Sequence, residues 1–182
     1  MPHKPWKQLK RTTIYDTRYL RLHEDAVELP GGQVLNDYSV IEFNDVVSCV
    51  ATDEHGNLIM LEEYRYAVND TMLQTSAGTI VRGTEDPKAA ALRELQEETG
   101  YTATDIQKVG ELYDYPSKAT HIIHVFRVRG AKKTTSTAHE VSEQIHVKLM
   151  RPTEVKQAVL QNKIKTSGVV GALVLAMPEL FS

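Results

Sequence analysis

The chain has 182 residues, with 24 acidic and 21 basic side chains and a formal net charge of −3 at pH 7. This near-balance excludes non-specific coating of nucleic acid, because binding to phosphate backbones needs a clear excess of basic side chains. Hydrophobic residues make up 41% of the chain and charged residues 25%, which is typical of a globular protein with a core. We expect one main domain with a small appendage.

A single cysteine, Cys49, excludes an intramolecular disulfide bond and is consistent with a reducing compartment. Because it lies in the apolar run 46–51, we expect a small buried hydrophobic residue. No apolar stretch approaches the ~20 residues of a membrane-spanning helix, and no apolar segment of a signal peptide follows the basic residues near Met1. The sequence therefore predicts a cytoplasmic protein that binds neither membranes nor nucleic acid.

The first 45 residues alternate short β-type runs with turn residues. Pro30-Gly31-Gly32 lies between two of these runs and predicts a hairpin. A few strands of this length cannot bury a core by themselves, so they must pack on the rest of the chain or on a second copy of it. We therefore expect a small antiparallel β-domain at 1–45 and a larger domain at 46–182.

In the larger domain, the apolar runs 46–51 and 58–61 are separated by turn residues, which predicts a hairpin in a more buried sheet. A helix is expected to begin after Asp86 as the N-cap and to end before Gly100. Pro87 suits its first position.

This helix carries an apolar stripe formed by Ala91, Leu92 and Leu95. Charged residues lie away from the stripe: Arg93, Glu94, Glu97 and Glu98. Residues three and four apart are neighbours on a helix, so the three glutamates present their carboxylates to one small volume. Clustered oxygen ligands of this kind suit Mg²⁺ or Mn²⁺. The alternative is an acidic, solvated helix face.

Downstream, the pattern predicts three strands and two helices, at 109–113, 121–128, 145–149, 152–160 and 168–177. The polar segment 131–142 is expected to be a loop, of a length that in compact domains is usually functional or mobile. His121 and His124 would point to opposite faces of a strand, so we expect no joint metal site.

The stretch from Gly78 to Tyr101 resembles the Nudix box, G-x5-E-x7-R-E-U-x-E-E-x-G-U, in which U is a bulky apolar residue. From Glu85 onward every fixed position matches. Gly78 stands seven positions before Glu85 where the family has six, so the loop carries one extra residue, which Gly83 can accommodate. The resemblance to Nudix hydrolases implies an α/β/α sandwich on a mixed β-sheet.

The same resemblance implies a divalent metal, Mg²⁺ or Mn²⁺, held at this helix. Its implied ligands are four carboxylates and one main-chain carbonyl, those of Glu85, Glu94, Glu97, Glu98 and Ala77. Arg93 would hold a carboxylate in place by a charge-assisted hydrogen bond. Arg93 and Glu97 are accordingly candidate catalytic residues.

Features outside the box resemble the ADP-ribose pyrophosphatase branch of this family. Residues 63–67, Glu-Tyr-Arg-Tyr-Ala, are similar to its Q-Y-R-x-A strand, and residues 76–78, Ser-Ala-Gly, stand in place of P-A-G. Pro116 lies where the branch has a proline and is a candidate substrate contact. Gln74 stands where the branch usually has a glutamate, so we expect a shift in substrate or metal preference with hydrolysis retained.

The branch resemblance also implies residues that contact substrate or activate water. Arg65 is a candidate for contact with a phosphate or ribose group, with a salt bridge at a strand edge as the alternative. Tyr19 lies near the position of an adenine-stacking aromatic residue, although a packed or surface tyrosine explains it equally well. The branch takes its general base from a glutamate in a loop after the box, where Glu140 and Glu143 both qualify. We favour Glu143, because residues 145–147 align with the branch's next strand.

The resemblance implies a metal-dependent hydrolase that acts as a homodimer, with the β-domain at 1–45 used for dimerisation and substrate contacts. It would cleave the diphosphate of ADP-ribose or a related nucleoside diphosphate sugar into a nucleoside monophosphate and a sugar phosphate. One alternative is another Nudix substrate, such as GDP-mannose, a diadenosine polyphosphate or an oxidised nucleotide. A second is a non-catalytic module that binds ADP-ribose, which could afford to lose the helix glutamates that this chain retains.

Overall fold

The computed structural model describes residues 4–80, 84–138 and 144–182. The chain divides into two compact units. The first contains Met1–Asn44 and Tyr113–His121, and the second contains Asp45–Leu112 and Ile122–Ser182. The segment Tyr113–His121 therefore belongs to the unit that is otherwise formed by the start of the chain.

The first unit is an antiparallel sheet in the order β1-β2-β3. Its strands are β1 (Lys7–Asp16), β2 (Leu20–Glu28) and β3 (Val34–Phe43). The predicted hairpin at Pro30-Gly31-Gly32 is confirmed, with Gly32 at a φ of 83°, a backbone conformation that glycine adopts without steric cost. Ile41 forms an isolated bridge with Ala119. Every residue of β1 is exposed.

Several of the buried side chains of this small sheet are polar or charged. Asp25 is buried and accepts hydrogen bonds of 2.8 and 2.7 Å from Arg11, whose guanidinium holds the pKa of this carboxyl below its usual range. Buried His23 lies between Thr13 and Glu42, at 3.1 and 3.3 Å. Ion pairs and hydrogen bonds therefore supplement the few buried apolar residues of this unit.

Within the described residues, the second unit contains an eight-stranded mixed sheet. Its main order is β11-β5-β4-β10-β8, while β6 pairs with β5, β7 with β4 and β9 with β10. The strands are β4 (Asp45–Asp53), β5 (Leu58–Arg65), β6 (Asp70–Gln74), β7 (Ser76–Ile80), β8 (Tyr101–Thr102), β9 (Asp105–Leu112), β10 (Ile123–Lys133) and β11 (Ile145–Met150). Strands β10 and β4 run parallel and the other pairs antiparallel.

Helices cover both faces of this sheet. They are α1 (Pro87–Thr99), α2 (Pro152–Leu160) and α3 (Ser167–Ala176), followed by a 3₁₀ turn at Pro178–Leu180. Successive residues of β4 point to opposite faces, so Val50 packs in the core with α2 and α3, while Cys49 and Ala51 pack with Leu95 of α1. This arrangement confirms the α/β/α sandwich. In the described part of the chain, every helix is too short or too polar to cross a membrane.

The predicted start and end of α1 are confirmed. The Asp86 carboxylate accepts hydrogen bonds of 3.0 Å from the main-chain N–H groups of Lys88 and Ala89, which are unpaired in the first turn of a helix. Gly100 ends the helix at a φ of 76°. A Cβ at Gly100 would also lie 2.4 Å from the main-chain oxygen of Thr135. Any larger residue there would therefore clash as well as strain the backbone.

The predicted loop at 131–142 is wrong at its start, because β10 continues to Lys133. Gly130, at a φ of 62°, lies in a register shift that lets the strand bend and continue. The extension then pairs with β8. Charged residues 132 and 133 suggested a loop, but tertiary pairing outweighs their weak local preference. Residues 139–142 of that prediction lie outside the described residues.

Cys49 is expected to be unreactive in the folded protein. Its side chain is 1% exposed, and burial, together with the nearby charge of Glu98, raises the pKa of its thiol to about 12. Because the thiolate is the reactive form, a disulfide reagent such as DTNB should release no chromophore from the native protein and one equivalent after unfolding. Stoichiometric release on mixing with native protein would contradict this packing.

Candidate metal and catalytic site

Arg93 is the central contact of the acidic residues on α1. Its guanidinium donates hydrogen bonds of 3.0 and 3.1 Å to the two oxygens of Glu85. Nη1 of the same group donates to Glu94 at 2.8 Å and to Glu97 at 2.9 Å. The hydrogen bonds from Arg93, together with its charge, lower the pKa of Glu85, and the bonds to these acidic partners raise the pKa of Arg93 above its ordinary value. Three of the four predicted carboxylate ligands are thus held by one cation.

Glu98 faces the sheet, and the expectation that it lies on the polar side of the helix is wrong. Its side chain is 5% exposed, and its Oε2 accepts a 3.1 Å hydrogen bond from the main-chain N–H of Ala77. The last turn of α1 packs against β7, which brings this carboxylate under the strand. A buried carboxylate needs compensating donors or a cation, so Glu98 is fixed where a cation would be stabilised.

Gly78 provides the space that the Glu94 carboxylate occupies. A Cβ built on Gly78 would lie 2.0 Å from both Cδ and Oε1 of Glu94. Glycine is therefore required here for close approach of a side chain to the strand, independently of its backbone flexibility. Together, Ala77 and Gly78 place β7 against the carboxylates of Glu94 and Glu98.

The segment after β10 is anchored to the end of α1. The N–H groups of Thr134 and Thr135 donate to the carbonyl of Gly100 at 3.0 and 3.2 Å, and the N–H of Ala138 donates to the carbonyl of Glu97 at 2.8 Å. Ala138 directly precedes residues 139–143, which contain both candidate bases and lie outside the described residues. Ala138, the last described residue before them, is therefore bonded to the acidic helix.

The side chains at this point fit a hard divalent cation. Of the four carboxylates, those of Glu85, Glu94 and Glu97 accept hydrogen bonds from Arg93 and that of Glu98 accepts one from the main chain of Ala77. Oxygen ligands of this type suit Mg²⁺ or Mn²⁺. Among the residues that the structure describes, no three acidic or histidine side chains converge into a ready-made metal cage. The contacts of Arg93 with Glu94 and Glu97 partly explain why these carboxylates do not converge, because they direct one oxygen of each toward the guanidinium.

Arg65 lies at the end of β5 and takes part in a small network. Its Nη2 lies 2.7 Å from Oε2 of Glu63 and donates to Oε1 of Gln74 at 3.3 Å. Nε2 of Gln74 in turn donates to Oε2 of Glu63 at 3.3 Å. Arg65 thus forms the salt bridge given above as its alternative role, although its side chain is 47% exposed and can still contact a ligand.

The remaining predicted substrate contacts lie in the first unit. Tyr19 is 66% exposed, in the turn between β1 and β2, with the Arg18 guanidinium 4.5 Å from its ring centre. Pro116 is exposed in a turn. The carboxylates, Ala77 and Arg65 all lie in the second unit.

Sequence reasoning missed two contributors to this region. It treated Glu63 only as part of a strand motif, and it interpreted Gln74 only as the loss of a carboxylate. Their placement on the paired strands β5 and β6 was not recognised, because β6 is a short polar strand without apolar alternation. The one signal available in the sequence for this contact was a carboxylate at position 63 together with an amide at position 74.

Comparison with known families agrees with this geometry. Residues 42–167 match the NUDIX domain, which is more than half of the chain, and residues 6–41 match the nucleoside diphosphate sugar hydrolase N-terminal domain. The chain belongs to the Nudix family. It is a Nudix hydrolase whose amino-terminal sheet is of the type that accompanies nucleoside diphosphate sugar hydrolases.

Individual relatives extend this similarity. The chain is 31% identical over 169 residues to the methanol dehydrogenase activator of Bacillus methanolicus, covering 92% of this chain and 90% of the relative. It is 33% identical over 120 residues to the ADP-ribose pyrophosphatase of Bacillus subtilis strain 168, covering 66% and 64%. A crystal structure of an ADP compounds hydrolase matches the fold with a TM-score of 0.78 at 20% identity, over 100% of this chain and 97% of that one.

Proposed function

We propose that this protein hydrolyses the diphosphate of ADP-ribose or a related nucleoside diphosphate sugar in the presence of Mg²⁺ or Mn²⁺. Water would attack one phosphorus, the bond to the bridging oxygen would break, and a nucleoside monophosphate and a sugar phosphate would leave. The observation that carries the proposal is the meeting of the α1 carboxylates with Ala77 and Gly78 on β7. The relative named ADP-ribose pyrophosphatase supports the choice of substrate.

The glutamates of α1 would hold the metal, and Arg93 would keep carboxylates of the site in place. Glu97 and Glu98, with Glu94 beside them, are the proposed ligands, and Glu85 and the carbonyl of Ala77 complete the set. When bound, the cation neutralises diphosphate oxygens and lowers the pKa of a coordinated water. Arg93 restrains Glu85, Glu94 and Glu97 by charge-assisted hydrogen bonds, which limits the rearrangement needed on binding.

The general base is proposed to be Glu143, with Glu140 as the other candidate. The flanking residues support a loop at the site, since Ala138 is bonded to the carbonyl of Glu97 and Ile145 pairs with Glu63 of β5. We expect Glu143→Gln to lower kcat roughly a hundredfold or more, as loss of a positioned base does, and Glu140→Gln to change it little. Steady-state rates of both variants test this. Full activity in both would place the base elsewhere.

The first unit is proposed to mediate homodimerisation and to contribute Tyr19 and Pro116 to substrate binding. Its sheet has few buried apolar residues, and β1 exposes Leu9, Ile14 and Tyr15, which a second copy would cover. Sedimentation of the protein at micromolar concentration tests the dimer. A cytoplasmic location is also proposed, on the basis of the lone buried thiol.

A phosphate-release screen with Mg²⁺ and with Mn²⁺ tests the activity. It should contain ADP-ribose, GDP-mannose and a diadenosine polyphosphate, each with a phosphatase added to release inorganic phosphate from the products. It should also contain an oxidised nucleoside triphosphate, with an inorganic pyrophosphatase in place of the phosphatase. Hydrolysis of ADP-ribose above the others supports the proposal. Binding of ADP-ribose without hydrolysis of any compound would support the non-catalytic module instead.

A second candidate role follows from the relative that is 31% identical over 169 residues. That protein is named for the activation of a methanol dehydrogenase, so activation of such an enzyme is a second candidate role for this chain. The test adds the protein and Mg²⁺ to a methanol dehydrogenase and follows alcohol oxidation. A higher rate that requires intact Glu97 would support this role.

A further inference from the structure

The network of Glu63, Arg65 and Gln74 lies between two parts of the proposed site. Gln74 ends β6, and the chain continues directly into β7, where Ala77 and Gly78 contact the carboxylates of α1. On the other side, Glu63 is the register partner of Ile145, the first residue of β11 after the segment with the candidate bases. Strand β5 also contacts β7. The network is therefore tied to the acidic helix through β7 and to the start of β11 through Glu63.

Burial gives the three residues of this network different roles. Glu63 is 5% exposed and Gln74 is 8% exposed, whereas about half of the Arg65 side chain is in contact with solvent. The buried side chains of Glu63 and Gln74 therefore hold the solvent-accessible guanidinium of Arg65. A flexible arginine loses less conformational entropy on binding a ligand when its guanidinium is already oriented.

The hydrogen bonds of Gln74 show why the buried pair contains one carboxylate and one amide. The amide nitrogen donates to Glu63 and the amide oxygen accepts from Arg65, so both ends of the group are used. A second carboxylate in place of the amide would face Glu63 at about hydrogen-bonding distance, with repulsion between two buried negative charges. A second amide would leave Arg65 without its ionic partner.

We propose that Glu63 and Gln74 are positioning residues that orient Arg65 toward a phosphate or ribose group of the substrate. We further infer that the carboxylate and the amide have exchanged places relative to the Q-Y-R pattern, in which glutamine precedes the tyrosine and glutamate stands four residues before the glycine. The position of the carboxylate then matters less than the presence of one carboxylate and one amide. Glutamine at position 74 therefore does not deprive Arg65 of a negatively charged partner, because Glu63 supplies that charge. This inference rests on the proposed hydrolytic function.

An exchange of side chains tests the proposal. Glu63→Gln and Gln74→Glu should each raise KM for ADP-ribose about tenfold. Glu63→Gln removes the charge from the partner of Arg65, and Gln74→Glu places two buried carboxylates beside each other, which repel and disturb the network. Values of kcat should change little, because the carboxylates of α1 are untouched. The double variant Glu63→Gln/Gln74→Glu again has one carboxylate and one amide, and its KM should return toward that of the wild type.

Glu62→Gln is the matched control, since Glu62 neighbours Glu63 on the same strand but pairs with Lys148. It should behave as wild type. If Glu63→Gln and Gln74→Glu lower only kcat and leave KM unchanged, the loss reflects fewer folded molecules, and the positioning role is overturned. A Glu63→Gln variant that equals the control, or a double variant no better than its weaker parent, would also overturn it.

Equilibrium binding of ADP-ribose separates this inference from the proposed reaction. If the wild type binds but cleaves none of the screened compounds, the hydrolytic proposal fails, and the same order of affinities among the variants would uphold the role of Glu63 and Gln74. If the wild type neither binds ADP-ribose nor cleaves any of the screened compounds, both proposals are overturned.

Discussion

Glu98→Gln is expected to lower turnover of ADP-ribose by roughly a hundredfold or more, the range seen when a group that stabilises developing charge is removed. Glu98 is buried beside β7, so its negative charge acts in a setting where water screens it weakly. The amide oxygen of glutamine can still accept the hydrogen bond from Ala77. The fold should therefore remain while the affinity for metal falls.

The same change at Glu97 should also lower turnover, although its carboxylate is more exposed than that of Glu98. Rates measured against Mg²⁺ and Mn²⁺ concentration, together with circular dichroism and thermal melting, check both variants. Glu54→Gln serves as control, because Glu54 lies in an exposed turn and pairs only with a surface lysine in the described contacts. Unchanged rates in either α1 variant would remove that residue from the proposed metal site.

Gly78→Ala is expected to impair activity without unfolding the protein. The added methyl group would lie 2.0 Å from Cδ and Oε1 of Glu94, so the carboxylate must move. Because these atoms are the end of a flexible side chain, the movement costs little stability, but it removes Glu94 from its place beside the other carboxylates. We expect kcat/KM to fall roughly tenfold to a hundredfold, as when groups around a metal are disturbed.

Gly31→Ala is the control for this substitution, since nothing lies within 4 Å of a Cβ at Gly31. A double-mutant cycle identifies the route of the effect. In a Glu94→Gln background, Gly78→Ala should add less than it does alone, because the two changes act on the same side chain. Additive losses would show that Gly78 acts by some route other than Glu94.

The helix and its acidic face could be predicted from local pattern because the responsible forces act over a few residues. Asp86, Pro87 and Gly100 define the ends of α1 through main-chain groups that lack partners in the first and last turns. The Nudix box adds fixed spacing from Glu85 to Tyr101, and residues three and four apart must be neighbours on a helix. The chemistry of the site was therefore predictable from one continuous segment.

Contacts between strands were less predictable, because they depend on register between residues far apart in the chain. Strand β6 and the end of β10 have little local preference for extended structure and are stabilised by pairing with β5 and β8. Glu98 could not be assigned to the buried side of α1 from helical periodicity, since its burial depends on where β7 crosses the last turn.

The amino-acid sequence alone was sufficient for the class of enzyme, the acidic helix and the oxygen ligands that suit a divalent cation. Tertiary structure was needed to show that Glu94 occupies the space beside Gly78, and that Glu63 and Gln74 jointly hold Arg65. The physical reason is the range of the interactions. Helix caps and helical neighbours are set by bonds within a few residues, whereas the contacts of Arg65 and Glu94 arise only when separate strands and a helix pack at one register.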